Sequence, residues 1–383
     1  MFLKSITTKT RPLSTMASAT MRPDMANFLK AMHHVYKFPT SSTTSTSSSW
    51  TPPPASAGHK GRYLWTDAFG VLNFLTLFKE TSNPYFLSLS KTLVSAVHDT
   101  LGRTRDGRSR LPSATDSAPL AGGLRIGKEE ESGPDGDGQY HHYLTLWMFA
   151  LNRLSLASNH KEYNDLAIQL AKAIHPRFMY DRDSARPRMY WKMSIDLLHP
   201  LVRSEGNLDP IDGFVMFRLL QQTDGPSSKV LEKEIEEYDR IVKLKWRNYE
   251  SRDPLDLGMT MWTAHFFGTG EEKERWSEHL WNAAKRDTEA LFDVGYFEQS
   301  KKRRLAFREF GTVLGMGSGA GGEEWELRAK KVITDWEKTG LVPDPSEEKS
   351  AAGRNAEIDL LPITLVMYAA ALNPGAFKKG YFA

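Results

Sequence analysis

The sequence predicts an all-α fold, an (α/α)6 toroid in which an inner and an outer ring of helices alternate along the chain. Three observations predict it. Six segments are apolar on nearly all sides, five others are amphipathic and charged, and the two kinds alternate after Gly61. A helix that is apolar all round must be buried all round, whereas a one-faced helix lies on a surface. The alternation therefore assigns one kind to an inner layer and the other to an outer layer.

Residues 1–22 carry Lys4, Lys9, Arg11 and Arg22 among serines and threonines, with no acidic residue before Asp24. Mitochondrial presequences and disordered tails share this composition. A cytoplasmic protein, with mitochondrial import as the alternative, is the expectation. Residues 23–383 read as one domain. It opens with a short helix over 23–38, followed at 40–58 by TSSTTSTSSSWTPPPASAG, a low-complexity linker or exposed loop. The inner helices are 66–78 (TDAFGVLNFLTLF), 139–154 (QYHHYLTLWMFALNRL), 210–220 (PIDGFVMFRLL), 255–267 (LDLGMTMWTAHFF), 308–314 (REFGTVL) and 358–372 (IDLLPITLVMYAAAL). The outer ones cover 83–100, 160–175, 230–246, 271–291 and 323–338; in the third, Leu231, Ile235, Tyr238 and Val242 recur at helical spacing. Six inner helices need six partners, and the helix at 23–38 supplies the sixth. Residues 188–194 (RMYWKMS) read as a strand element or extended loop. An open solenoid of helix pairs is the alternative architecture, but no repeat motif is readable.

Composition excludes several functions. A net charge of +3, from 50 basic and 47 acidic residues, implies no nucleic-acid partner. The one dense basic run, Lys301, Lys302, Arg303 and Arg304, reads as a solvated loop, with a nuclear-import signal as the alternative. The absence of cysteine removes disulfide frameworks, thiolate metal sites and cysteine nucleophiles. No apolar run reaches the roughly 18 residues that span a bilayer, and the longest, 360–372, contains Pro362. Gly317, Gly319 and Gly322 match G-x-G-x-x-G, but a helical segment precedes them and no Lys-Ser/Thr follows, so they read as a turn. A small-molecule substrate, no membrane, no cofactor and no metal are expected; the oligomeric state is left open.

Loop lengths place the site. Links from inner to outer helices are short, at 79–83 and 221–227, whereas the returns at 101–138, 177–209, 293–307 and 340–357 are long. With all inner helices running one way, the long loops fall on the rim that holds the inner-helix amino termini. Long loops in a compact domain are usually functional.

The segments GRYLWTDAFGVLNFL and DGQYHHYLTLWMFAL look like openings of inner helices in the six-hairpin glycosidase superfamily, which includes unsaturated glucuronyl hydrolases and has sugar 2-epimerases as architectural relatives. The resemblance is architectural and covers roughly residues 60–375. It implies an (α/α)6 toroid and activity on a carbohydrate or uronate.

The residues supply candidate chemistry independently. Asp67, Asp212, Asp256, Glu309 and Asp359 begin inner helices, with Asp135 and Asp137 just before the second. Carboxyl groups converging on one cavity suit general acid/base work, one protonated and another ionised. Acidic residues are also favoured in the first turn of any helix, where they meet free N–H groups. Asp67, Asp212 and Glu309 are the proposed acids and bases, beside His141 and His142, whose ordinary pKa suits proton exchange in an isomerase, lyase or cyclase. Tyr63, Trp65, Tyr140, Trp191 and Trp262 offer faces for a ring, and Trp147 reads as core as readily as wall. His265, Asp256 and Asp359 are further binding candidates, and Arg62 and Arg308 could grip a carboxylate. Arg218, in an otherwise apolar helix, needs a partner, expected to be Asp212 or Glu309. A non-catalytic helical-repeat binding protein is the remaining alternative. Since residues 1–22 offer no periodic apolar face, deleting 1–15 leaves the melting temperature unchanged; a large drop in a thermal-denaturation scan would identify a structural arm instead.

Overall fold

The apolar and amphipathic segments become helices in the order expected. The computed structural model describes residues 23–39, 50–54, 62–133, 136–271, 273–319, 321–342 and 360–382. The tail at 1–22, most of the segment at 40–58, Asp135 and Asp359 lie outside them. Among the described residues there are twelve α-helices: α1 Pro23–Tyr36, α2 Leu64–Thr81, α3 Pro84–Leu101, α4 His141–Ser158, α5 Glu162–Phe178, α6 Asp209–Asp224, α7 Glu232–Lys245, α8 Pro254–Gly268, α9 Arg275–Asp293, α10 Ala306–Ser318, α11 Glu323–Glu337 and α12 Leu361–Leu372. Four two-residue strands, β1 Gln139–Tyr140, β2 Met179–Tyr180, β3 Arg188–Met189 and β4 Lys192–Met193, make two antiparallel ladders, β1 with β4 and β2 with β3. The extended stretch at 188–194 thus pairs with its neighbours on either side rather than with itself. The protein is all-α, and no described helix is long and apolar enough to cross a membrane.

Burial divides the helices as their composition demands. Every residue of α2 from Leu64 to Leu77 is buried, as is every residue of α8 from Leu257 to Gly268. In α9 only one face is, through Ser277, Leu280, Trp281, Ala283, Ala284 and Thr288. Each even-numbered helix touches the next, α2 to α4, α4 to α6, α6 to α8, α8 to α10 and α10 to α12, and α12 touches α2. The odd-numbered helices pack outside this succession: α3 on α2, α5 on α4, α7 on α6, α9 on α8, α11 on α10, and α1 on α12. Buried polar side chains also join the helices. Asn73 donates to the Val366 carbonyl at 2.8 Å, joining α2 to α12, and Asn164 donates to the Leu220 carbonyl at 3.1 Å, joining α5 to α6.

Three expectations need correction. Within the low-complexity segment, residues 50–54 pack: the Trp50 indole donates to the Tyr36 carbonyl at 3.1 Å, Pro52 is buried, and the Pro53 carbonyl accepts from Arg62. A Trp and three prolines provide apolar contact without any periodicity, so a periodic reading passes over them. Arg218 finds neither Asp212 nor Glu309 but Glu274, at 3.0 Å, and lies 3.8 Å above the Phe267 ring. The basic run at 301–304 is solvated only at Lys302 and Arg303: Arg304 is buried on Glu309, and Lys301 pairs with Asp335 over the Trp336 ring. The glycine run at 317–322 is, as expected, the turn from α10 to α11.

α8 and α10 make the closest crossing. Gly258 faces Gly311 and Gly315, and a methyl group on Gly258 or Gly315 would run into the opposing carbonyl oxygen. Alanine is favoured over glycine inside a helix by about 1 kcal/mol, whereas overpacking against backbone costs about 1–3 kcal/mol. Gly315→Ala is therefore expected to lower stability by about 1–2 kcal/mol in urea titration; a stabilised variant would contradict the close crossing.

Candidate functional site

The amino-terminal portions of six helices open onto one cavity of ≈330 Å³. Tyr63 and Trp65 come from the start of α2, and His142, Tyr143, Thr145 and Leu146 from α4. Asp209, Asp212 and Met216 come from α6, with Asn207 and Leu208 just before it. Asp253, Leu255, Asp256, Met259 and Trp262 belong to α8 and its cap, Phe307 and Arg308 to α10, and Ile363 to α12. One wall is aromatic: the Trp65 ring is 5.1 Å from that of Tyr143 and 5.6 Å from that of His142.

Asp209 and Asp212 sit one turn apart on α6, a spacing that sets Cβ atoms about 5–6 Å apart on one face. Their surroundings differ. Burial alone would raise the Asp209 carboxyl, but His141 and His142 outweigh it and hold Asp209 far below the usual carboxylate range. Both Nδ1 atoms face its Oδ1, at 3.5 and 3.6 Å, distances of ion pairing rather than of formed hydrogen bonds. Asp209 is also the first residue of its helix, where free N–H groups and the positive dipole end favour an anion. Asp212 goes the other way. Burial, then the nearby Asp209 and Asp256 charges, push it well above the usual range against one hydrogen bond from Thr263 at 2.7 Å. Among the described residues no cation pairs with it. The two carboxyl groups thus differ in opposite directions in their hold on a proton, at the same cavity.

Asp256 is raised chiefly by burial, opposed by hydrogen bonds that include Asn207 at 3.1 Å and Tyr249 at 3.2 Å on Oδ2. Asp253 caps α8, accepting from the Leu255 and Asp256 amides at 2.9 and 3.2 Å, and its other oxygen pairs with Arg308.

Of the residues expected at the site, Tyr63, Trp65, His142, Asp212, Asp256, Trp262 and Arg308 line the cavity. Others lie behind it. Asp67 is fully buried against Arg62, at 2.6 Å, and Tyr36, at 3.1 Å. Burial raises its carboxyl against the pull of Arg62, and the guanidinium, which burial alone would lower, is raised by Asp67 and Tyr36. Glu309 is gripped by Arg304 at 2.6 and 2.5 Å and receives the Trp336 indole at 2.7 Å. His141 stands behind Asp209, its Nε2 2.6 Å from the Tyr238 hydroxyl. Tyr140 and Trp191 pack on each other at 5.4 Å one layer back. His265 accepts the Lys379 amide at 3.0 Å on Nε2 and donates from Nδ1 to the Trp262 carbonyl, so it is a neutral core histidine, pushed by burial down to about 3. His265 and the His141–His142 pair therefore do not face each other across the cavity.

Asp209, Asp253 and Asn207 were not anticipated. Asp209 and Asp253 each stand immediately before a proline that opens a helix, Pro210 and Pro254. Proline favours the first helical position, and that Asp-Pro pair was the available signal. Compared with known proteins, the chain matches no family model, and no curated protein matches it.

The two classes of carboxyl group separate on stability. Glu309→Gln leaves the buried Arg304 with Asp335, at 3.3 Å, as its one remaining described anionic partner and is expected to cost about 3–5 kcal/mol. Asp212→Asn, at a carboxyl group that no described cation pairs with, is expected to change stability by less than about 1 kcal/mol. Denaturant midpoints check the ranking, and equal losses would count against it.

Proposed function

We propose that the protein is an acid–base enzyme acting on a small carbohydrate-like molecule, with Asp212 as proton donor and Asp209 as proton acceptor. The observation that carries this reading is the opposed environment of two carboxyl groups one helical turn apart, in a cavity with aromatic walls. The reaction that suits them best is hydrolysis of a glycosidic bond. Asp212 protonates the departing oxygen, and Asp209, steadied by His141 and His142, takes a proton from the attacking water. Trp65 and Tyr143 provide faces on which a sugar ring stacks.

The same reading extends to the architecture. The succession of even-numbered helices, in which α12 returns to α2, supports six hairpins closed into an (α/α)6 toroid, as in the six-hairpin glycosidase superfamily that the segments at 61–75 and 137–151 resemble. In a toroid the cavity is the rim, and inner-helix amino termini from all six hairpins reach it.

A panel of 4-nitrophenyl glycosides, read by nitrophenolate release, tests the assignment. Asp212→Asn and Asp209→Asn should each lower turnover about 10²- to 10⁴-fold. In the wild type, activity should fall as pH rises through the raised Asp212 pKa, where the donor loses its proton. It should fall again as pH drops into the depressed Asp209 range, where the acceptor gains one. Inactive His142→Gln with both Asn variants near wild type would sink the hydrolase in favour of an isomerase or lyase. Ligand binding with no turnover across the panel would leave a binding protein.

A further inference from the structure

We propose that the substrate carries a positively charged amino group and that Asp256 is its anchor. The proposal rests on the reading of the cavity as a substrate site, but not on the reaction assigned to it.

The charge of the lining carries the argument. Four carboxyl groups, Asp209, Asp212, Asp253 and Asp256, line the cavity, against one guanidinium, Arg308. Arg308 is already paired with Asp253. Asp209 has the two histidines, and its Oδ1 is buried without a hydrogen-bond partner. Asp256 is half-buried at the α8 end and accepts only from neutral donors, Asn207 and Tyr249 among them, with no cation at ion-pair distance among the described residues. A carboxylate or phosphate entering here would meet ionisable acids and, among the described residues, find no free cation, and placing like charges together in a partly desolvated site is strongly unfavourable. The amino termini of α6 and α8, the two helices that bring the carboxyl groups to the cavity, do not reverse this, because first-turn acids already occupy their positive ends.

An ammonium group meets the opposite situation. Asp256 supplies a counter-charge, and Trp65, Tyr143 and Phe307 supply ring faces that attract a cation. The remaining lining, Leu146, Met216 and Met259, is apolar and suits the body of a ring. At ≈330 Å³ the cavity is at the small end of ligand pockets, about 300–1,000 Å³, which limits the occupant to one or two rings. The chemistry favours an amino sugar or a comparable cyclic amine over a uronate.

Two matched sets of probes test it on the full-length protein by saturation-transfer NMR and tryptophan fluorescence: cyclohexylamine, cyclohexanol and cyclohexanecarboxylate, then glucosamine, glucose and glucuronate. Within the first set the amine should bind at least about 10-fold more tightly than the alcohol, with the carboxylate weakest, a difference of about 1.4 kcal/mol or more. Asp256→Asn, which keeps size and hydrogen-bonding capacity, should bring amine and alcohol to parity. A carboxylate that binds as well as the amine, an amine that does not bind at all, or an undiminished preference in Asp256→Asn would overturn the proposal. The second set separates the two readings: if cyclohexylamine binds with the Asp256 dependence but no sugar does, the ammonium site stands and the carbohydrate reading falls.

Discussion

A helix without a water-facing side must find every polar partner within the protein, and that constraint governs both the packing and the site. The even-numbered helices each carry polar or ionisable groups into an interior where an unpaired charge costs several kcal/mol. The acids of their first turns are handled in two ways. Asp67 and Glu309 are each met by an arginine five residues earlier, Arg62 and Arg304, and by an aromatic donor from an outer helix, Tyr36 or Trp336. Asp212 and Asp256 have no such arginine; serine or asparagine stands nearby instead, Ser251 and Asn207. Neutralised acids are structural pillars, and those left without a cation gather at the cavity.

This contrast explains what the sequence made legible. The helical order, the burial classes and the sharing of one cavity by inner-helix starts follow from periodicity, which depends on neighbouring residues only. The choice among the acids does not. Asp67 and Glu309 look like site residues because they open buried helices, yet the Arg-x4-Asp/Glu spacing at 62–67 and 304–309 already held the reason they are not. Asp209 was passed over because the apolar run begins after it, at Pro210. Partners distant in the chain, such as Glu274 for Arg218, leave no local trace.

The outer layer also reaches the site chemistry. Tyr238 on α7 holds the far nitrogen of His141, whose near nitrogen faces Asp209. Gly213, one position beyond Asp212, leaves the room Tyr238 occupies, since a methyl group there would collide with the phenol. Orientation of the acceptor thus depends on a residue with no exposure to the cavity, and a glycine that resembles a helix weakness is a packing requirement.

The seam at which α1 and α2 meet the carboxy-terminal part of the chain has a further consequence. It joins residues far apart in the chain: Asn27 reaches Glu337 across 310 positions, Thr76 accepts the Ala376 amide across 300, and Asn73 holds Val366 across 293. A ribosome delivers these partners at opposite ends of a long elongation interval, about 15–60 s for some 300 residues at 5–20 residues per second. Through that interval the apolar flank of α2 that α12 will cover has no native neighbour on that side. The nascent chain exposes that flank until α12 emerges, and mutations at this seam should act on yield during synthesis more strongly than on the finished protein.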